Sequence, residues 1–181
     1  MSNLSSYVGY FRGLAVSHKD LQHDPDSELP DGDPSKCHFI RWSMEDAVIG
    51  INNKIGFPLL LLEIYEQVTE SQMIYDVKKN CKGAITIVDH VTNDNDLIGQ
   101  EVALITTESI MSDVLKQMWQ DRYGQNAIAD NPFKEIYFNG MNIIPVDHIL
   151  SGKEFGWRTE FNFIFKDNQD ITQPPAEGTF I

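Results

Sequence analysis

Two Asp-His pairs, Asp89–His90 and Asp147–His148, and a denser group of His18, Asp20, His23 and Asp24 carry the side chains that hold metals or move protons. A metal centre needs several such groups converging on one point. His18 and His23 stand five apart, off-face on a helix, so this group reads as a helix end running into a solvated acidic loop. Each Asp-His pair closes a predicted strand, where polar residues are common, and the two pairs could approach one another in space. Cys37 precedes His38, but neighbours on a strand point to opposite faces and cannot form a nucleophile–base pair. The chain has no G-x-S-x-G, G-x-x-x-x-G-K-[ST], G-x-G-x-x-G or H-E-x-x-H. No catalytic residue, metal ligand or cofactor is assigned, and an enzyme is not expected.

The remaining candidates are contact residues. Arg158 lies beside Glu160 on the polar face of an aromatic strand and can pair across strands. Tyr7, Tyr10 and Phe11 cluster near the N-terminus, where they suit either an interface or a core.

The 181 residues fit one domain, expected over 1–170 with a flexible tail at 171–181. Hydrophobic residues at 41% suffice for a core. Fourteen basic residues against 27 acidic give a net charge of −13, with no basic run to grip phosphate. DNA binding is therefore not expected, although an acidic surface suits DNA that must slide past. The opening MSNLSSYVGYF has no charged n-region or apolar h-region of a signal peptide, and Cys37 and Cys81 are expected to be reduced, in a cytoplasm-like compartment.

The elements that position these residues follow from periodicity. Leu4, Val8, Phe11 and Ala15 predict a helix over 4–16. The stretch 23–36, rich in Asp, Pro and Gly, predicts a loop that is mobile in the free protein. HFIRW predicts a strand at 38–42, and Ser43 with Asp46 opens a helix over 44–54. FPLLLLEIYE, residues 57–66, is too short to span a bilayer and predicts a strand buried on both faces. A long hairpin over 57–91 follows, its arms separated by TESQ at 69–72. NDND at 93–96 offers N-caps for the longest helix, whose Leu97, Leu104, Met111 and Met118, flanked by Ile98, Ile105, Leu115 and Trp119, form one broad apolar stripe. Strands at 133–144 and 156–166 close the domain. The order α-β-α-β-β-α-β-β predicts an α+β fold, a mostly antiparallel mixed sheet of about five strands with helices on one face.

In this order, YFRGLAVSHKDLQH, HFIRWSMEDAVIGINNKIGFPLLLLE, GAITIVDHV and GWRTEFNFIF resemble the tail terminator and neck-type tail completion proteins of tailed bacteriophages and phage-like particles. The resemblance runs from about Tyr7 to Phe165. It implies a structural virion protein, made in the host cytoplasm, that assembles with itself as a ring, usually of six. Such a ring caps the tail tube, meets the tube protein and a head-side connector, and passes DNA through its lumen.

A ring gives the apolar strand a second partner, since Leu60, Leu62 and Ile64 could meet a neighbouring subunit. The expected contact residues are Tyr7, Tyr10, Tyr65, Glu66, Glu70, Tyr75, Asp76 and Arg158, with Glu70 and Asp76 near the lumen or rim. Isolated subunits are expected to be monomeric or weakly associated. A non-enzymatic binding module and a metal-assisted enzyme using the His and Asp residues are the competing classes.

Overall fold

Leu59, Leu60, Leu61 and Leu62 are all buried, as a strand covered on both faces requires. The computed structural model describes residues 3–42, 55–73, 76–93, 95–124, 131–138, 140–149 and 152–165. Its elements in chain order are α1 (Asn3–Ser17), β1 (Phe39–Trp42), β2 (Leu59–Glu63), β3 (Glu66–Met73), β4 (Asp76–His90), α2 (Leu97–Tyr123), β5 (Phe133–Tyr137), β6 (Ile143–Asp147) and β7 (Glu154–Phe165). The expected helix over 44–54 and the tail at 171–181 lie outside the described residues.

The class is α+β with a mixed sheet, but the sheet has seven strands rather than five. Its spine is the antiparallel pair β4–β7, in register from Cys81↔Phe163 to His90↔Glu154. β2 and β3 lie end to end along one side of β4, and β5 and β6 end to end along the far side of β7. β1 adds in parallel to β2. The strand expected over 133–144 is broken in two around Gly140, whose φ of +79° an L side chain rarely adopts. TESQ is not a turn: Thr69 and Glu70 pair with Lys79 and Lys78 inside the hairpin, and the chain reverses between Met73 and Asp76.

Helices α1 and α2 lie on one side of the sheet. Leu60, Leu62, Ile85, Ile87, Phe161 and Phe163 share a core with Tyr7, Phe11 and Leu14 of α1 and with Ile110, Met111, Val114 and Met118 of α2. Side chains alternate along β7, with Thr159, Phe161, Phe163 and Phe165 buried on the helix side. Leu59, Leu61 and Val88 face the other way and are covered by Ile40, Ile55, Phe57, Val146 and Ile149 of the same chain. This corrects the expectation for Leu60 and Leu62. They point under the helices and need no neighbouring subunit, whereas Ile64 is exposed.

Asp96 caps α2, its side chain accepting from the Gly99 N–H at 3.0 Å. The stripe read on this helix is wider than the sheet beneath it. Met111 and Met118 are buried, but Leu97, Ile98, Ile105 and Trp119 are exposed.

The acidic segment 23–36 is more than a loop. It folds into two 3-10 turns, Pro25–Glu28 and Pro34–Lys36, capped by Asp24 and Asp33. The His23 side chain is fully buried beneath it. Its Nδ1 accepts from the His38 N–H at 3.3 Å, which leaves Nε2–H to donate to Glu28 at 2.8 Å. Glu28 in turn receives two parallel bonds of 2.7 Å from Arg12 of α1, whose guanidinium rests over the Phe39 ring. The expectation of an unsupported loop, drawn from composition, missed these tertiary partners.

Candidate functional site

Beyond its first rung with β7, β4 keeps going. Its pairing with β3 runs from Glu66↔Lys82 out to Met73↔Asp76, while its pairing with β7 begins only at Cys81↔Phe163. Among the described residues, the stretch Asp76–Lys79 has β3 as its strand partner, and β1 reaches β2 but not β3. Among those residues β3 and β4 form a two-stranded arm that no further strand flanks. A lone hairpin is marginally stable in water, and its free N–H and C=O groups are a template for pairing.

At the base of the arm, on the face opposite α1 and α2, runs a row of charge. Alternation puts Glu63 of β2, Lys82 and Ala84 of β4, and Arg158 and Glu160 of β7 on this face. Arg158 stands opposite Thr86, and Glu160 opposite Ala84. Because those β4 side chains are short, the guanidinium reaches diagonally across β4 to β2. It makes a forked pair with Glu63 at 2.7 and 3.0 Å and a third bond of 2.9 Å to Glu160. Lys82 closes the row, its Nζ 2.7 Å from Glu160. The hydrogen bonds from Glu63 raise Arg158 above its ordinary range, and those from Lys82 and Arg158 hold the Glu160 carboxyl below its own.

A cleft of about 270 Å³ opens beside this row, lined by Lys82, Asn142, Ile144, Arg158, Glu160 and Asn162. Both cations on its wall are already paired with carboxylates. The row clamps three strands together and presents a polar, nearly neutral surface rather than an anion site.

The predicted contact residues divide accordingly. Arg158 and Glu66 sit at the arm's base, Arg158 part-buried and Glu66 exposed. Glu70 belongs to β3 and Asp76 to β4 within the arm, while Tyr75 lies outside the described residues. Tyr7 does not belong with them. It is wholly buried, stacked on Phe163 at 5.3 Å, with its hydroxyl donating to the Glu63 carbonyl at 3.1 Å. A Cβ at Gly83 would stand 2.5 Å from that hydroxyl, so the glycine makes the seat. Burial, then the nearby Glu63 charge, pushes the Tyr7 phenol well up. Tyr10 is half-buried, and its hydroxyl donates to Asp121 of α2 at 2.9 Å. Tyr65 packs edge-on against Tyr7, Phe163 and Phe165. The N-terminal aromatics were read as contacts because sequence alone cannot distinguish a core aromatic from an exposed one. Glu63 and Lys82, absent from the predicted set, were reachable by parity, since a residue beside an inward leucine or cysteine must face out.

The groups that could have done chemistry are spent on structure. The Cys37 thiol donates to the Phe39 carbonyl at 3.4 Å, and His38 Nδ1 donates to the Pro58 carbonyl at 2.8 Å. Cys37 and Cys81 are free thiols, both buried. His18 faces Asp113 of α2, at 3.9 Å, while His23 turns to Glu28. The two Asp-His pairs do reach the same end of the sheet, flanking the start of β7, with His90 opposite Glu154 and Asp147 opposite Phe155. There His90 Nδ1 contacts Glu154 at 3.3 Å and His148 Nδ1 contacts the Gly152 carbonyl. Among the described residues no three His, Cys, Asp or Glu side chains converge to hold a metal, and no helix is long and apolar enough to cross a membrane.

The paired carboxylates predict how stability responds to acid. Burial alone would raise the Glu28 carboxyl, but the bonds from Arg12 and His23 outweigh it and hold it below its ordinary value. Glu160 is lowered as well. A carboxyl depressed in the folded state stabilises above its unfolded value, about 4.3, and that stabilisation is lost as pH falls through the folded value. The double substitution Glu28→Gln and Glu160→Gln should therefore lower the urea midpoint at neutral pH and flatten its decline on acidification. An unchanged slope below about pH 4.3 would refute the assignment.

No family model matches the chain, and no curated protein matches it.

Proposed function

We infer that the protein is a non-catalytic structural subunit that closes into a ring, of six in the family it resembles, at the head-proximal end of a phage-like tail tube. There it stops tube growth and joins the tail to the neck. The observation that carries this reading is the β3–β4 arm, which among the described residues has no further strand on either edge. Open edges bind by strand addition, and a contact that joins one surface to a different surface of the next copy generates a ring when the rotation closes. The charge of −13 suits a lumen through which DNA passes without sticking. The tube protein and a head-side connector are the partners that this position requires. Such a protein works in the virion, in the tail or neck, after assembly in the host cytoplasm.

One observation favours a second reading, a small ligand-binding module: the cleft beside Arg158 and Lys82. At about 270 Å³ it lies just under the range of roughly 300–1,000 Å³ usual for ligand sites, and its cations are already neutralised. The ring reading is the better supported. Its test is to delete the gene from a particle-forming cluster that encodes it and to measure tails by negative-stain electron microscopy. Tubes of uncontrolled length and unjoined heads are expected. Tails of normal length on joined heads would refute the terminator role.

A further inference from the structure

Helix α2 is apolar on two opposite faces. One face enters the core through Ile110, Met111, Val114 and Met118. The other leaves Ile98 75%, Ile105 60%, Val102 57%, Trp119 52% and Tyr123 48% exposed. A helix apolar all round is normally buried all round, and a single-domain surface does not scatter so many large side chains along one helix by chance.

The spacing identifies the kind of partner. Positions 98, 102, 105, 109, 112, 116, 119 and 123 recur at alternating intervals of four and three, the seam of a coiled coil. The seam matches itself when reversed. About a two-fold axis between Ile110 and Met111, Ile98 meets Tyr123 of a second copy, Val102 meets Trp119, Ile105 meets the aliphatic stem of Lys116, and Ser109 meets Ser112. The small serines fall at the crossing point, where two helices come closest, and the large residues fall at the ends. Flanking the seam, Glu101 comes beside Arg122 of the second copy, twice per pair. A parallel arrangement would instead set Lys116 against Lys116.

We propose that α2 is a self-association surface, on which two copies of this chain pair back to back through antiparallel α2 helices. The paired face lies on the helix side of the sheet, away from the open face and its charged row. Pairing therefore does not compete with those contacts, and it does not rest on the ring reading. It gives a specific form to the expectation that isolated subunits are monomeric or weakly associated.

The full chain, examined by sedimentation equilibrium across the micromolar range, should show a monomer–dimer equilibrium. Val102→Glu with Ile105→Glu alters only exposed positions, so the melting temperature, compared well below the dissociation constant of the parent, should hold. The dissociation constant should rise roughly a hundredfold, about tenfold for each charge forced into the seam. Orientation is read by disulfide cross-linking. A mixture of Val102→Cys and Trp119→Cys proteins should cross-link, and neither protein should cross-link alone. A monomer at all concentrations, a dimer indifferent to the two glutamates, or self-cross-linking of Val102→Cys alone would each overturn the proposal.

Discussion

Leu60→Asp leaves the chain unable to hold its fold. Leu60 has no exposed surface, lies between Phe39 of β1 and Ile87 of β4 in register, and belongs to the core beneath α1 and α2. Among the described residues no Lys or Arg is buried in the core to neutralise a carboxylate. An isolated charge in such a place costs several kcal/mol, comparable with the whole stability of an ordinary domain, about 5–15 kcal/mol. Leu60→Ala grades the effect. It removes apolar contact and leaves a cavity without introducing charge, at a cost of about 2–5 kcal/mol. Circular dichroism melting of the two variants checks the order. The aspartate chain should show no cooperative transition, and the alanine chain a lowered one. An aspartate variant melting within a few degrees of the parent would mean that Leu60 meets water.

Shortening the arm should do the reverse, sparing the fold and abolishing the function. Val68 stands opposite Asn80 in the β3–β4 ladder. Replacing 69–79 with Asn-Gly closes the ribbon there with a two-residue turn of the kind hairpins favour. The described ladder removed is bonded only within the arm, so the melting temperature should stay near that of the parent. If the arm is the contact between neighbours in the ring, tubes assembled with the shortened protein should lose length control. The readout is the tail-length distribution by electron microscopy beside the melting curve. Fixed tail lengths with infectious particles would remove the arm from the contact. A collapsed melting temperature would show instead that the arm belongs to the subunit's own stability.

Much of the architecture was legible in the chain because its signals are local. A run of four leucines at 59–62 can be satisfied only by burial on both faces, and it is buried on both. The alternation of Thr159, Phe161, Phe163 and Phe165 states which side of β7 is dry, and Asp96 announces the start of α2 by the geometry of a cap. These readings depend on period and on the backbone valence of a single residue, which neighbours in space cannot change.

What the tertiary structure decided depends on distances between residues far apart in the chain. Arg158 chose Glu63 across an intervening strand because Ala84 and Thr86 are short, and no local pattern carries that information. Buried His23 and its partner Glu28 became an anchor for an acidic loop because Arg12 of α1 came within 2.7 Å of Glu28, although composition alone reads the loop as loose. Tyr7, a plausible contact residue by type, vanished into the core because Gly83 left room for its hydroxyl. The apolar stripe of α2 proved wider than the sheet could cover, since periodicity counts apolar residues without knowing how many the opposing surface can take. Local order is set by bonds along the chain, whereas which faces remain open is set by how much surface the folded elements can hide from water.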